Sequence, residues 1–488
     1  MTLVAPDWPD IRRRFERALG KERLVQRREQ LLAYDADGLT LHRQAPELVV
    51  LPTTAEEVRQ AVALCHRLGV PFVARGSGTG LSGGAVPPEN AVVIATSRMR
   101  RILAVDLDNQ TITVEPGVVN SWVTRAVQGD GFYFAPDPSS QVVCSVGGNV
   151  AENSSGVHCL KYGVTSSHVL GLDVVLPDGT TSRFGGALAE MPGLDLRGLF
   201  IGSEGTLGIA TAITLRLLRA PEAVRVLLAE FSAMEAAGEA VSAITAAGIL
   251  PAGMEIMDRL SINAAEDLLR TGCYDRDSAA ALLVELDGQN AEVALASRRA
   301  ADLCRGCGAV RLQLAETRAE RERLWKGRKS AFAAMGRVTP NYYVQDGVVP
   351  RSTLPRVLAA IEALSDRSGI PIANVFHAGD GNLHPLLLYD RREPGIVERV
   401  EALGADILRL CLSVGGSITG EHGVGSDKRD YMGLMFKPED LDTMQLVRRA
   451  IDPRRQANPT KIFPTPSSCA ESSRLGARAV SLADLPVF

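Results

Sequence analysis

The sequence has 488 residues, enough for two or three domains at roughly 100–200 residues each. Its hydrophobic content of 45% suffices for buried cores, and a formal net charge of −4 gives no electrostatic reason to expect nucleic acid. The N-terminal stretch, with Arg12, Arg13 and Arg14 soon after Asp7 and Asp10, lacks an apolar signal core, and no run approaches the ~18–20 unbroken apolar residues of a membrane span. Eight scattered cysteines suit reduced thiols in a cytosolic protein better than a disulfide frame, and Cys304-Arg305-Gly306-Cys307 is a C-x-x-C without a second pair.

In chain order, the first prediction is a charged helix from Ile11 to Leu32. Glu47–Pro52 reads as a strand. Thr53 or Thr54 then caps a helix whose first turn holds Glu56 and Glu57, where carboxylates complement the dipole, and Gly69 ends it. The strand 70–74 leads into Arg75-Gly76-Ser77-Gly78-Thr79-Gly80-Leu81-Ser82-Gly83-Gly84. Five glycines in ten residues let the backbone approach a ligand, and a run of outward amides can hold a diphosphate. Gly78, Gly80 and Gly83 also satisfy G-x-G-x-x-G, but Pro87 and Pro88 deny the long helix that a dinucleotide fingerprint needs. The segment therefore reads as a phosphate loop between two strands, the second at 91–95.

Strands at Ile102–Asp106 and Thr111–Val114 and a helix from Asn120 to Gln128 follow. Residues 128–156 are predicted to carry little secondary structure. They hold Ala135-Pro136-Asp137-Pro138-Ser139-Ser140 and then Cys144 to Gly156, where small residues and amides alternate, as suits a wall against a flat ring. Val169–Leu176 and Thr180–Phe184 form a hairpin through Pro177-Asp178-Gly179. Ile201–Ile209 is another glycine-rich loop, a strand at Ala210–Leu218 follows, and Pro221 marks a domain boundary. Residues 224–370 alternate strands and helices in the manner of a split β-α-β sandwich, with Tyr342–Val349 among the strands. Helices are predicted near 396–414 and 437–450, and the end, from Pro464, is expected to pack loosely. The domain division that follows is an N-terminal helical segment 1–40, a domain 41–220 that carries the glycine-rich loops, a second domain 221–410 and a C-terminal segment 411–488.

Three of the seven histidines fall in two short segments, Val375–Pro385 and Gly415–Gly425. His377 ends a strand and His384 begins the next across Gly379-Asp380-Gly381-Asn382, so a hairpin can bring both imidazoles together. Glu421 would complete two His and one carboxylate, a facial set for a divalent ion with open positions. Such a site beside a flavin suggests oxidation of a 2-hydroxy acid, with the metal polarising the hydroxyl, a base taking its proton and hydride leaving the α-carbon. His422 is the candidate base, because a neutral imidazole titrates near physiological pH. Arg328 is the candidate for the substrate carboxylate, which a guanidinium grips through two bonds. Asn382, in the histidine turn, joins these two as a catalytic candidate.

Arg75–Gly84, Asp137–Ser140, Ser145–Gly156, Ile201–Ile209, His377–His384, Gly420–Gly425 and Asn458-Pro459-Thr460-Lys461 carry a resemblance. Across nearly the whole chain, the sequence resembles the FAD-linked 2-hydroxy acid dehydrogenase family of vanillyl-alcohol-oxidase-type flavoproteins. Tyr342–Gly347 and His158–Gly163 resemble most closely its glycolate-oxidase branch of FAD-linked subunits. The resemblance implies an α+β fold: a two-lobed FAD-binding domain, a ferredoxin-like cap and a helical C-terminal segment returning to the flavin. It assigns FAD contacts to Arg75, Gly76, Ser77, Gly78, Thr79, Gly80, Ser82, Pro138, Ser139, Ser145, Gly147, Gly148, Asn153, Gly156, Glu204, Gly208, Ile209 and Asn458. It also implies metal ligation by His377, His384 and Glu421, with His422 as base and Arg328 on the substrate carboxylate; two His plus Glu suit Zn, Mn or Fe.

The hydroxyglutarate-oxidising branch has a Thr four residues after that arginine and a Lys further on, where this chain has Phe332 and, nearby, Val344. That departure points to a small monocarboxylate, glycolate or D-lactate, over D-2-hydroxyglutarate. With no histidine in Arg75–Gly84, FAD is expected to be non-covalent. The branch works with partner subunits, one carrying iron–sulfur clusters, and this chain has no four-cysteine cluster motif of its own. The corresponding expectation is a cytoplasmic protein that reaches the inner face of a membrane only through partners. The remaining alternative is a flavin subunit that scaffolds a complex without catalysing.

Overall fold

The computed structural model describes residues 6–188 and 192–464. The tail expected to pack loosely lies, from residue 465 on, outside the described residues. The described chain folds into two compact units, 6–155 with 163–220 and 421–464, and 156–162 with 221–420.

Among the described residues the first unit holds two larger sheets and a two-stranded pair, Phe132–Tyr133 with Leu218–Arg219. The four-stranded sheet runs in the order Leu24–Val25, Leu48–Val50, Val92–Ala95, Phe72–Arg75, and the last two strands lie parallel to one another. Helix Ala55–Leu68 connects two of these strands, capped by Thr54 Oγ1, which accepts from Glu57 N at 3.2 Å. Val58, Ala61, Val62, Leu64 and Cys65 recur at helical spacing and pack against Leu48, Phe72, Val92 and Ile94. Burying a side chain of this size contributes roughly 1.5–3 kcal/mol.

The predicted helix Ile11–Leu32 is broken. Helix Trp8–Leu19 buries Ile11, Phe15 and Leu19 and stops at Gly20, whose φ of +83° lies outside the helical region. Leu24–Val25 then add an antiparallel edge to the sheet, and a single turn, Arg28–Leu31, follows. The charged sequence masks this break, since Leu24 and Val25 pair with Val50 and Val49, which lie far along the chain.

The five-stranded sheet, in the order Ile102–Asp106, Thr111–Val114, Ile209–Arg216, Val169–Val175, Thr181–Gly185, is antiparallel throughout. Its core includes Ile112, Val114, Leu172, Val174, Ile213 and Leu215. The stretch 128–156 holds more regular structure than predicted: Val146–Glu152 is helical. Gly147 and Gly148 hide that helix in the sequence, since glycine is a poor helix former. Ser145 caps it, accepting from Gly148 N at 3.3 Å, and the buried pair Val146 and Val150 anchors one face in the sheet's core.

The second unit is built on a seven-stranded sheet, Ala309–Ala315, Ala223–Phe231, Ala280–Gly288, Gly253–Asp258, Ile372–His377, Pro385–Tyr389, Asn341–Val344, with every neighbouring pair antiparallel. Helix Met234–Ala246 packs on Leu354–Ser368, and Arg259–Leu269 packs on Arg318–Ala334. The strand predicted at Tyr342–Val349 covers only Asn341–Val344, because from Val348 the backbone pairs with Ser417 and Gly381 instead. Segment 156–162 is pinned in this unit: Tyr162 Oη donates to Asp287 Oδ2 at 2.7 Å, Lys161 pairs with Asp287, and His158 Nε2 lies 2.8 Å from Glu285 Oε1. No helix among the described residues is long and apolar enough to cross a membrane.

Candidate functional site

In the first unit, the glycine loop leaves the C-terminal end of Phe72–Arg75 and returns to its parallel neighbour Val92–Ala95, so it is a loop between two strands. Gly78 adopts φ +72°, which an L side chain would resist, and a Cβ there would strike the Arg75 guanidinium. Among the described residues, the amides of 77–84 donate to no backbone carbonyl. Beside this loop opens a cleft whose lining includes Arg75, Gly76, Gly147, Gly148, Gly208 and Ile209. Ser203 Oγ in the lining and Arg75 Nη1 are buried without a hydrogen-bond partner. A glycine-walled cleft with unsatisfied donors fits a ring-bearing diphosphate cofactor.

The other cofactor candidates divide. Ser77, Gly78, Thr79, Gly80 and Ser82 belong to the loop. Pro138 is buried and Ser139 exposed, outside the cleft lining. Ser145 is engaged in its helix cap. Asn153 Oδ1 accepts from Ser166 N at 2.8 Å, and Asn458 Nδ2 donates to Gly84 O (3.0 Å) and Glu204 O (2.6 Å), so these amides brace the walls from behind. Glu204 turns its carboxylate to Val424 N (2.7 Å) and Gly425 N (2.6 Å); burial pushes this carboxyl up and the two amides pull it back. Gly156 falls in the segment grouped with the second unit.

Asp37 packs beneath the loop, 6% exposed, with Leu39 N donating to Oδ1 at 3.1 Å. Burial pushes its carboxyl up from 3.8 to about 6. A folded-state value above the unfolded one means that the group's stability contribution is complete at low pH and is lost as pH rises through about 6. Asp37→Asn is therefore expected to abolish a decline worth up to ~3 kcal/mol. Thermal melts of both proteins across that range check this, and parallel pH profiles would contradict it.

In the second unit, strand Ile372–His377 and strand Pro385–Tyr389 form the expected hairpin, with Asn374 opposite Pro385. The His377 and His384 rings stand 5.1 Å apart at 82°. His377 Nδ1 lies 2.6 Å from Glu255 Oε1 on the neighbouring strand, and a carboxylate there favours the tautomer with the proton on Nδ1, in which Nε2 could serve a ligand. His384 Nε2 lies 3.5 Å from Asp346 Oδ1. Asp346 Oδ2 accepts from Thr419 Oγ1 (2.5 Å) and Gly420 N (3.0 Å), tying the 415–420 segment to the hairpin. Gly420 lies so close to Asn382 that a Cβ would come within 2.5 Å of Nδ2; Asn382 itself is buried with Oδ1 unsatisfied.

Arg328, on helix Arg318–Ala334, is only 3% exposed. Its Nη2 lies 2.5 Å from Glu255 Oε2, but off the hydrogen-bond direction, and Nε and Nη2 make no hydrogen bond. A buried guanidinium with unsatisfied N–H groups is prepared for an anion. One turn on, the Phe332 ring meets His384 edge-on at 6.1 Å. Glu421 and His422 open the last segment of the first unit, with Ser155 Oγ donating to Glu421 Oε2 at 2.8 Å and His422 Nε2 3.9 Å from Glu421 Oε1.

Sequence reasoning missed Glu255 and Asp346. Glu255 sits in an apolar strand and reads as an ordinary alternation, though a carboxylate between Met254 and Ile256 is a signal of burial with partners. The C-x-x-C has no special environment: Cys304 is fully buried, and burial pushes its thiol up to about 12.

Comparison with known proteins agrees with this architecture. Residues 46–185 match the FAD binding domain, and residues 220–462 match the C-terminal domain of FAD linked oxidases. The chain is 48% identical to glycolate oxidase subunit GlcD of Escherichia coli K12 over 94% of this chain and 91% of that protein. It is 39% identical to glycolate oxidase subunit GlcD of Bacillus subtilis over 93% and 97%, and 32% identical to D-lactate dehydrogenase of Archaeoglobus fulgidus over 85% and 91%. Its fold matches that of p-cresol methylhydroxylase with a TM-score of 0.79 at 18% identity, covering 94% of this chain and 98% of that one. The α+β fold expected from the resemblance is thus the one found, and the chain belongs to the FAD-linked oxidases as an FAD-dependent oxidoreductase.

Proposed function

We propose that the protein oxidises a small 2-hydroxy monocarboxylate, glycolate or D-lactate, to the 2-oxo acid with the help of a divalent metal. The observation that carries this reading is the buried group of Arg328, His377 and His384, with unsatisfied guanidinium N–H groups beside two imidazoles on one hairpin. His377, His384 and Glu421 would hold the ion. Glu421 follows, by one peptide bond, the glycine whose amide Asp346 fixes. The donor set of two nitrogens and one carboxylate suits Zn, Mn or Fe.

FAD, when bound without a covalent link, supplies the hydride acceptor at N5. The metal supplies Lewis acidity towards the substrate hydroxyl. The protein does the rest: Arg328 binds the substrate carboxylate, a His422 imidazole nitrogen takes the hydroxyl proton, and the amide of Asn382 orients the substrate oxygens. The Phe332 ring beside His384 gives an apolar wall where a second carboxylate would need a partner, which favours glycolate or D-lactate over a dicarboxylate. The loop 76–82 and the cleft between Gly147 and Ile209 would cradle the cofactor. Electrons would then pass to a partner subunit carrying iron–sulfur clusters, in the cytoplasm at the inner face of a membrane; the Escherichia coli and Bacillus subtilis relatives are themselves named as subunits.

Arg328→Lys keeps the buried charge but loses the paired donors. It is expected to lower kcat/KM about 10–100-fold, mainly through KM, with flavin content unchanged. A wild-type KM for every 2-hydroxy acid would contradict the role given to Arg328.

A further inference from the structure

We infer that Glu255 is a positioning residue that sets the metal ligand His377 and the substrate arginine Arg328 with a single carboxylate. Its Oε1 lies 2.6 Å from His377 Nδ1 and its Oε2 lies 2.5 Å from Arg328 Nη2. All three side chains are buried, Glu255 completely. They come from three separate elements: strand Gly253–Asp258, strand Ile372–His377 and helix Arg318–Ala334. Glu255 stands directly opposite His377 in the ladder, so the backbone register itself brings the carboxylate to the ring.

Each oxygen has a separate task. The Oε1 contact fixes the imidazole tautomer and ring angle, as a carboxylate behind a metal-bound histidine does. The Oε2 contact neutralises the guanidinium without saturating it: its poor angle holds Arg328 while Nε and Nη2 stay available to a ligand. A residue serving only charge balance would be expected to complete those hydrogen bonds. Substrate held by Arg328 and metal held by His377 would therefore share one rigid reference point, which fixes the spacing between a carboxylate and the hydroxyl next to it.

The inference rests on the proposed metal and substrate roles, and its test separates the two. Metal affinity of the full-length flavoprotein is measured by chelator competition with Zn²⁺ and Mn²⁺, and steady-state kinetics with D-lactate and glycolate give kcat and KM. Glu255→Gln keeps shape and loses charge. It is expected to weaken metal binding 10–100-fold and to raise KM by a similar factor, with the thermal transition and FAD content retained. Glu255→Asp, which keeps the charge but shortens the reach, is expected to impair at least one of the two and serves if the Gln variant does not fold. If His377→Ala abolishes metal binding while both Glu255 variants keep wild-type metal affinity and KM, the positioning role is overturned and the metal site stands. If His377→Ala binds metal as the wild type does, the metal reading falls and this inference with it.

Discussion

His422→Ala is expected to lower kcat by about 10²–10⁴-fold while the protein keeps its flavin, because it would remove the group proposed to take the substrate proton. The residue is well placed for a fixed role. Two and three positions after it, the amides of Val424 and Gly425 are held by Glu204, so the backbone following the imidazole is anchored in the interior of its unit. Rapid-mixing measurement of flavin reduction checks the prediction. Unchanged reduction in the variant would favour a subunit that scaffolds a complex without catalysing.

Loss of the proposed metal should be comparably severe. His377→Ala and His384→Ala are each expected to lose the divalent ion proposed to bind there and about 10²–10⁴-fold in turnover, the range set by several kcal/mol of Lewis-acid stabilisation. Metal analysis alongside turnover decides it, with re-addition of Zn²⁺, Mn²⁺ or Fe²⁺ to chelator-stripped wild-type protein restoring the rate. Activity that survives thorough stripping would remove both histidines from the reaction.

Much of the fold was legible where local signals agree. The Thr54 cap, the Glu56-Glu57 turn and the Gly69 stop mark one helix, and the alternation around Asp108-Asn109 marks a hairpin. The glycine loop was legible because two prolines contradict a Rossmann turn. What stayed hidden depended on partners distant in sequence. Leu24–Val25 become a strand only because Leu48–Val50 lie beside them. The helix at Val146 is stabilised by a core that its own Gly-Gly sequence does not advertise. The histidine hairpin could be read from spacing, whereas Glu255 could not, since its link to His377 runs across two strands more than a hundred residues apart. Asn153, Glu204 and Asn458 were visible as polar residues in glycine-rich segments, but only three-dimensional contacts show Asn153 Oδ1, the Glu204 carboxylate and Asn458 Nδ2 bonded to protein backbone.

The most direct test of the account is anaerobic addition of glycolate, D-lactate and D-2-hydroxyglutarate to the purified flavoprotein, with metal content determined on the same sample. The expected result is bleaching of the oxidised flavin band by glycolate or D-lactate in metal-replete protein and none in stripped protein. An oxidised spectrum that persists with every small 2-hydroxy acid, or a preference for the dicarboxylate, would contradict it.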